Sequence, residues 1–140
     1  MQNISKYDFR GYRLLKANLS RVKDKQITSF SLFSQKGVYN EENHIYELIT
    51  EVTVTFGDEA NVFVFSSGYK INDLEWLEVM ADQTVINELF QAVFPFIREK
   101  IFEFTSDFRP GFMIPILDLS KFDLTKKVVF NLNKVEPLAN

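Results

Sequence analysis

Apolar residues at Ile86, Phe90, Val93, Ile97, Ile101, Phe104 and Phe108 recur in steps of three and four. That spacing lines one face of an α-helix, so it predicts a long helix over residues 84–108 that buries a continuous stripe. A second apolar row, Val85, Leu89, Ala92 and Phe96, runs beside the first in the N-terminal half, and Glu99 and Glu103 replace it further on. The full stripe suits a sheet, and the half-row leaves Val85, Leu89 and Phe96 for another subunit. Pro95 removes a backbone donor inside the pattern and predicts a kink.

Elsewhere the period is two. Residues 12–22 alternate Leu15, Ala17 and Leu19 against Lys16, Asn18 and Ser20, a half-buried strand with an irregularity at the Leu14-Leu15 doublet. After the polar turn Lys23-Asp24-Lys25, residues 27–33 form a second strand, with Phe30 and Leu32 on one face and Ile27 and Phe33 on the other. Gly37 and Asn40 mark residues 35–42 as a loop. The clearest strand is 45–56, where Tyr46, Leu48, Val52, Val54 and Phe56 share a face opposite Glu47, Glu51, Thr53 and Thr55. Gly57-Asp58 opens a hairpin, and the chain returns over residues 61–71. There Phe63 and Phe65 take one face and Val62 and Val64 the other, so both faces are apolar. Residues 72–83 are dense in apolar bulk around Trp76 and Leu77 and suit either a helical turn or a covering loop. Residues 120–134, with Phe122, Val129 and Leu132 and a possible N-cap at Asp118 or Ser120, read as a shorter helix, although Val128-Val129-Phe130 argues for strand. Residues 1–11 read as a loose arm.

Strands followed by helices give an α+β domain: a four-stranded antiparallel sheet with a long kinked helix and a shorter C-terminal helix on one face. One domain accounts for all 140 residues. Apolar side chains left on the second sheet face, Val62 and Val64 among them, point to self-association.

Composition narrows the function by exclusion. The net charge of −3 without a basic run gives no support to a nucleic-acid partner. With no cysteine there is neither disulfide framework nor thiolate chemistry. No apolar run is long enough for a signal peptide or a membrane span, which fits a cytoplasmic protein without membrane insertion. The one histidine, His44, sits in the polar stretch Asn40-Glu41-Glu42-Asn43 and reads as a solvated loop residue, not a base or metal ligand. The pairs Glu41-Glu42 and Asp58-Glu59 flank turns. Glycines are scattered singly, so no phosphate-cradling loop forms. No catalytic residue, metal site or cofactor is predicted, and binding is favoured over catalysis. What departs from the ordinary is phenylalanine, fifteen in all.

The stretch Phe94-Pro95-Phe96-Ile97-Arg98-Glu99, then Ile101, a break at Arg109-Pro110, and Pro115-Ile116-Leu117-Asp118 leading to Phe122, resembles SecB, the bacterial export chaperone family. Tyr46-Glu47-Leu48 with Val52-Thr53-Val54-Thr55 is similar to that family's third strand, and residues 62–71 with Ser66-Ser67-Gly68 to its fourth. The resemblance covers roughly residues 12–132. It implies a homotetramer, a dimer of dimers, that holds unfolded polypeptides in apolar surface grooves without ATP. By position, the implied client-binding residues are Ile27, Phe30 and Leu32 on the second strand, Trp76 and Leu77 in the covering segment, and Phe112 and Met113 after the long helix. Core burial is the alternative for each of them.

The chain also departs from the family. Asn18, Val22 and Val64 stand where acidic residues dock the translocation ATPase, the loop after the first strand is cut to about residues 22–26, and the acidic C-terminal extension is missing. Docking on the ATPase therefore loses its basis. A chaperone of one specific client, such as the antitoxin of a toxin–antitoxin pair, becomes a live reading beside general export. Two other classes compete: an assembly protein that uses its apolar surfaces only to oligomerise, and a domain with a ligand or catalytic pocket between sheet and helix.

Overall fold

The period-two pattern over residues 45–56 becomes strand β3, Ile45–Phe56, with Leu48, Val52 and Val54 fully buried on one face. It is the middle strand of a five-stranded antiparallel sheet in a computed structural model, which describes residues 5–18, 27–57, 59–79, 82–106 and 112–132. The strands are β1 (Tyr7–Asn18), β2 (Ile27–Asn40), β3, β4 (Glu59–Ile71) and β5 (Val128–Asn131), in spatial order β1-β4-β3-β2-β5. Two helices follow β4: α1 (Leu74–Val79) and α2 (Asp82–Thr105). No helix among the described residues is long and apolar enough to cross a membrane.

Helix α2 is the predicted long helix, and it covers one sheet face. Ile86, Leu89, Phe90, Val93, Ile97 and Ile101 are fully buried against Phe63, Phe65, Tyr69 and Leu32. Each such side chain contributes about 1.5–3 kcal/mol relative to exposure. The helix runs unbroken through Pro95. Thr105 ends it, donating to the Ile101 carbonyl at 2.9 Å while its Oγ1 accepts the Phe112 N–H at 2.8 Å. Phe108 and the Arg109-Pro110 break lie outside the described residues, as do the Lys23-Asp24-Lys25 turn and Asp58.

Three expectations are corrected. The sheet has five strands, not four, because the segment expected as a C-terminal helix forms only a 3-10 turn, Leu119–Lys121, before β5. Asp118 does cap that turn, accepting the Ser120 N–H. The pair Val128-Val129 favours extended backbone, and the open edge of β2 supplies hydrogen-bond partners that an isolated helix lacks. Phe130 then stacks on Phe30, ring centroids 4.8 Å apart, and the C-terminal part of the chain closes over the core. Residues 7–10 are strand, not a loose arm: Tyr7 and Phe9 pack on Tyr69 at 5.8 and 5.5 Å. Of the two readings left open for residues 72–83, the helical one holds over α1, whose Trp76 backbone N–H is held by the Asp73 carboxylate at 3.2 Å.

The third correction concerns residues 35–42, expected as loop. Strand β2 continues to Asn40, with a register shift between Gln35 and Val38. Gly37 marks close approach instead of a turn. A Cβ there would lie 2.1 Å from the Tyr46 ring and 2.7 Å from the Glu47 carbonyl, and the Gly37 N–H donates to the Tyr46 hydroxyl at 2.9 Å. The true turn is Glu41 to His44, with Asn40 and Asn43 accepting the Glu42 and Ile45 N–H groups. His44 is exposed, adopts φ 60 and meets the Tyr39 hydroxyl through Nδ1 at 2.9 Å.

Two glycine substitutions therefore separate close approach from ordinary strand glycine. Gly37→Ala is expected to cost about 2 kcal/mol or more in urea unfolding, because backbone as well as ring must move. Gly68→Ala, whose new Cβ meets only Ile45 at 3.9 Å, is expected to stay within about 0.5 kcal/mol of the parent. Equal effects would refute the close-approach account.

Candidate functional site

Strand β1 pairs with β4 on one side and, among the described residues, with nothing on the other. Its outward N–H and C=O groups are therefore a template for a further strand. Two register shifts, between Phe9 and Gly11 and between Leu14 and Lys16, bracket the regular stretch Gly11–Leu14. The second is the irregularity expected at the Leu14-Leu15 doublet. Gly11 adopts φ 136 at the first bulge, a conformation that side chains disfavour.

Beneath that edge lies a cleft of about 480 Å³ between β1 and the C-terminal half of α2, lined by Tyr12, Arg13, Leu14, Lys100, Glu103 and Phe104. Its apolar floor continues into an aromatic stack. Phe96 sits 5.5 Å from Phe9 and 5.4 Å from Tyr12, and Phe104 sits 5.6 Å from Phe63. Lys100 donates to Glu103 at 3.2 Å, and that carboxylate holds the Lys100 ammonium pKa above its ordinary value. On the opposite face of the sheet a second depression of about 380 Å³ is lined by Arg10, Gly11, Tyr12, Arg13, Glu47, Ser66 and Gly68. Tyr12 and Arg13 border both hollows, so the β1 edge is a ridge between them.

The cleft has walls because α2 is fixed to the sheet. The buried Tyr69 hydroxyl donates to the Leu89 carbonyl at 2.7 Å and lies 3.0 Å from Ser67 Oγ. Burial pushes the Tyr69 pKa far up, and nearby Tyr7 adds to this, while the Ser67 hydrogen bond opposes it. On the far side, Arg98 Nε donates to the Ile114 carbonyl at 2.6 Å, and Asn87 Nδ2 to the Leu119 and Phe122 carbonyls at 3.3 and 2.6 Å. These bonds strap residues 114–122 across α2. Arg98 is thus part of this strap.

The predicted client-binding residues divide. Phe30, Leu32 and Trp76 are buried at 1%, 0% and 4% exposure, so each takes the core alternative. Trp76 stacks on Tyr7 at 5.8 Å with Lys6 above its ring. Ile27, Leu77 and Phe112 are half-buried, and Met113 is exposed. Phe112 reaches Phe30 at 5.8 Å near the β2 end of the sheet, whereas Trp76 and Leu77 belong to α1, beside β1. One groove does not collect them all. Of the expected interface residues, Val85 and Leu89 are closed inside the protomer at 2% and 0%, because the helix buries a broader face than one stripe. Phe96 remains 41% exposed, and Val62 and Val64 are half-buried on the outer sheet face. Tyr12, Leu14 and Phe104 were missed as a lining. Their sequence signal was the bulge doublet next to the helix stripe, and only strand order shows that β1 is an edge.

No protein-family profile and no curated protein sequence matches the chain. Comparison of folds is informative. A SecB-like chaperone of Mycobacterium tuberculosis, solved in complex with a ChAD peptide from the HigA1 antitoxin, superposes with a TM-score of 0.55 over 81% of this chain and 91% of that one, at 16% identity. The fold is SecB-like. A protein of unknown function from Streptococcus agalactiae aligns over 79% of this chain and 97% of its own, at 13% identity and a TM-score of 0.41. The SecB-like fold agrees with the α+β class read from the sequence.

Tyr69 yields a pH prediction. A folded-state pKa raised above the unfolded value of 10.0 gives stability that is complete below pH 10 and lost as pH rises beyond it. Tyr69→Phe is expected to lower stability by about 1 kcal/mol at neutral pH. It should also flatten the decline measured by urea unfolding above pH 10. An undiminished alkaline decline in the variant would show that Tyr69 is not the group responsible.

Proposed function

We propose that this protein is an ATP-independent chaperone that holds extended, unfolded stretches of polypeptide. The observation that carries this reading is the free edge of β1 beside a cleft in which Tyr12, Leu14 and Phe104 stand among the charged Arg13, Lys100 and Glu103. Main-chain groups at a sheet edge bind any extended segment, and the cleft adds affinity from alternate side chains with little demand on their identity. The SecB-like fold supports the same reading. Since its similar structure holds a peptide from an antitoxin, a single dedicated client is favoured over a role in general export. Exposed Met113 and half-buried Ile27, Leu77 and Phe112 extend the contact surface beyond the cleft. The protein works in the cytoplasm and acts without a cofactor.

A second reading rests on α2. Phe96 and Phe102 are 41% and 39% exposed on that helix, which favours burial against a further copy of the chain. We infer a homo-oligomer, a dimer of dimers, with Phe96 at a subunit contact and Val62 and Val64 covered on the outer sheet face. If oligomerisation is the whole role of these surfaces, the protein is an assembly element and not a chaperone.

Light scattering of a reduced, unfolding client, together with native mass spectrometry, separates the two. The chaperone reading expects substoichiometric oligomer to suppress aggregation. Phe104→Ala should weaken peptide binding about tenfold per folded molecule, the equivalent of about 1.4 kcal/mol. An oligomer that leaves aggregation unchanged and binds no peptide contradicts it and supports assembly alone.

A further inference from the structure

Thr84, Asn87, Glu88 and Gln91 lie three or four residues apart on α2 and so share one side of the helix. With Gln83 and Ser120 they line a hollow of about 260 Å³ between α2 and the 3-10 turn. Every lining side chain is polar, and none is basic. Gln83, Thr84, Gln91 and Ser120 are exposed and form the rim, whereas Asn87 is 6% exposed and Glu88 is half-buried. Asn87 spends its Nδ2 on the Leu119 and Phe122 carbonyls, and its Oδ1 is buried without a hydrogen-bond partner. The Glu88 Oε2 is buried and unpartnered as well. Among the described residues one other buried side-chain polar atom shares that condition, Trp76 Nε1, and it is a donor on α1. Two orphan acceptors thus stand on adjacent residues that line the same hollow.

A buried acceptor without a partner is costly, and the cost is relieved by a group that brings it a donor. Among the described residues no side chain does so. The Trp76 indole stacks on Tyr7, and no hydrogen bond joins it to Glu88. Burial and the Glu88 charge both raise the Tyr7 hydroxyl pKa, so that ring lies near the carboxylate without neutralising it. No lysine or arginine among the described residues lies within 4.0 Å of Glu88: Lys6 sits over the Trp76 ring, and Lys121 on the neighbouring turn is offset by Asp118. A water molecule would supply donors but no charge. A guanidinium supplies five N–H donors in one plane together with the positive charge that an unpaired carboxylate favours. We propose that this hollow binds a guanidinium group, with the Glu88 carboxylate and Asn87 Oδ1 as its acceptors and the rim oxygens of Gln83, Gln91 and Ser120 around it. The site makes no use of the β1 edge and stands apart from the chaperone reading.

Nuclear magnetic resonance titration of the full-length, nitrogen-15-labelled protein tests this, because the Asn87 side-chain amide reports on the hollow itself. The probes are N-acetyl-arginine amide, its uncharged isostere N-acetyl-citrulline amide, and N-acetyl-lysine amide. The arginine probe is expected to shift the Asn87 side-chain resonances and the backbone amides of residues 84–91, and to bind about tenfold tighter than either of the others. Glu88→Gln should weaken it about tenfold, while Glu99→Gln, which removes the same charge from an exposed position further along α2, should leave it unchanged. If Glu88→Gln does not fold, the contrast between arginine and citrulline on the parent decides alone. Methylguanidinium and a five-residue alanine peptide with a central arginine then identify the source. Tighter binding of the peptide assigns the site to an arginine of a polypeptide, and tighter binding of methylguanidinium assigns it to a small guanidine compound. Equal affinity for arginine and citrulline, shifts that bypass residues 84–91, or no shift with any probe overturns the proposal and leaves water as the partner of both acceptors. None of these outcomes bears on client binding, which the light-scattering experiment decides.

Discussion

An open antiparallel sheet ends in two edges, and the treatment of those edges organises this molecule. At one end, the short strand β5 closes part of β2, and Phe130 seals the aromatic cluster over Phe30. At the other, β1 is bulged twice but left uncovered among the described residues. Exposed strand edges are aggregation hazards that proteins ordinarily blunt with bulges and charge. Here both devices are present, yet a cleft with Tyr12, Leu14 and Phe104 in its lining lies directly beneath. That combination restrains indiscriminate pairing while keeping a place for a chosen strand.

Helix α2 makes the arrangement rigid. Its buried residues supply most of the helical half of the core, and the Tyr69 hydroxyl and the Asn87 and Arg98 straps fix it from both sides. Without that fixation the cleft beside β1 would have no defined width. A pocket that accepts varied side chains still needs walls that stay in place.

Much of the fold was legible because the periods were clean. The spacing of Ile86, Phe90, Val93, Ile97 and Ile101 specified α2, and the alternation of Tyr46, Leu48, Val52, Val54 and Phe56 specified β3 to its last residue. Where the reading failed, a local signal had a non-local cause. Gly37 looked like a turn but makes way for the Tyr46 ring nine residues later. Val129 and Leu132 sat at helical spacing, but an unpaired stretch of β2 recruited that segment as strand. The site was less legible than the fold. Greasy residues such as Phe30, Leu32 and Trp76 are equally at home in a core or a groove, and sequence alone does not say which face has been closed. Strand order is what separates Tyr12 and Leu14, at an edge, from Phe63 and Phe65, two similar apolar pairs of which only the second is sealed.

Amide hydrogen exchange on β1, resolved residue by residue with and without an unfolded client, tests the open edge most directly. In the free protein, the amides of β1 that point toward β4 should exchange slowly and those that point away should exchange fast. On client addition the outward set between the two bulges should become protected while the inward set stays unchanged. Outward amides already protected in the free protein, or client protection that bypasses β1 altogether, would contradict the account.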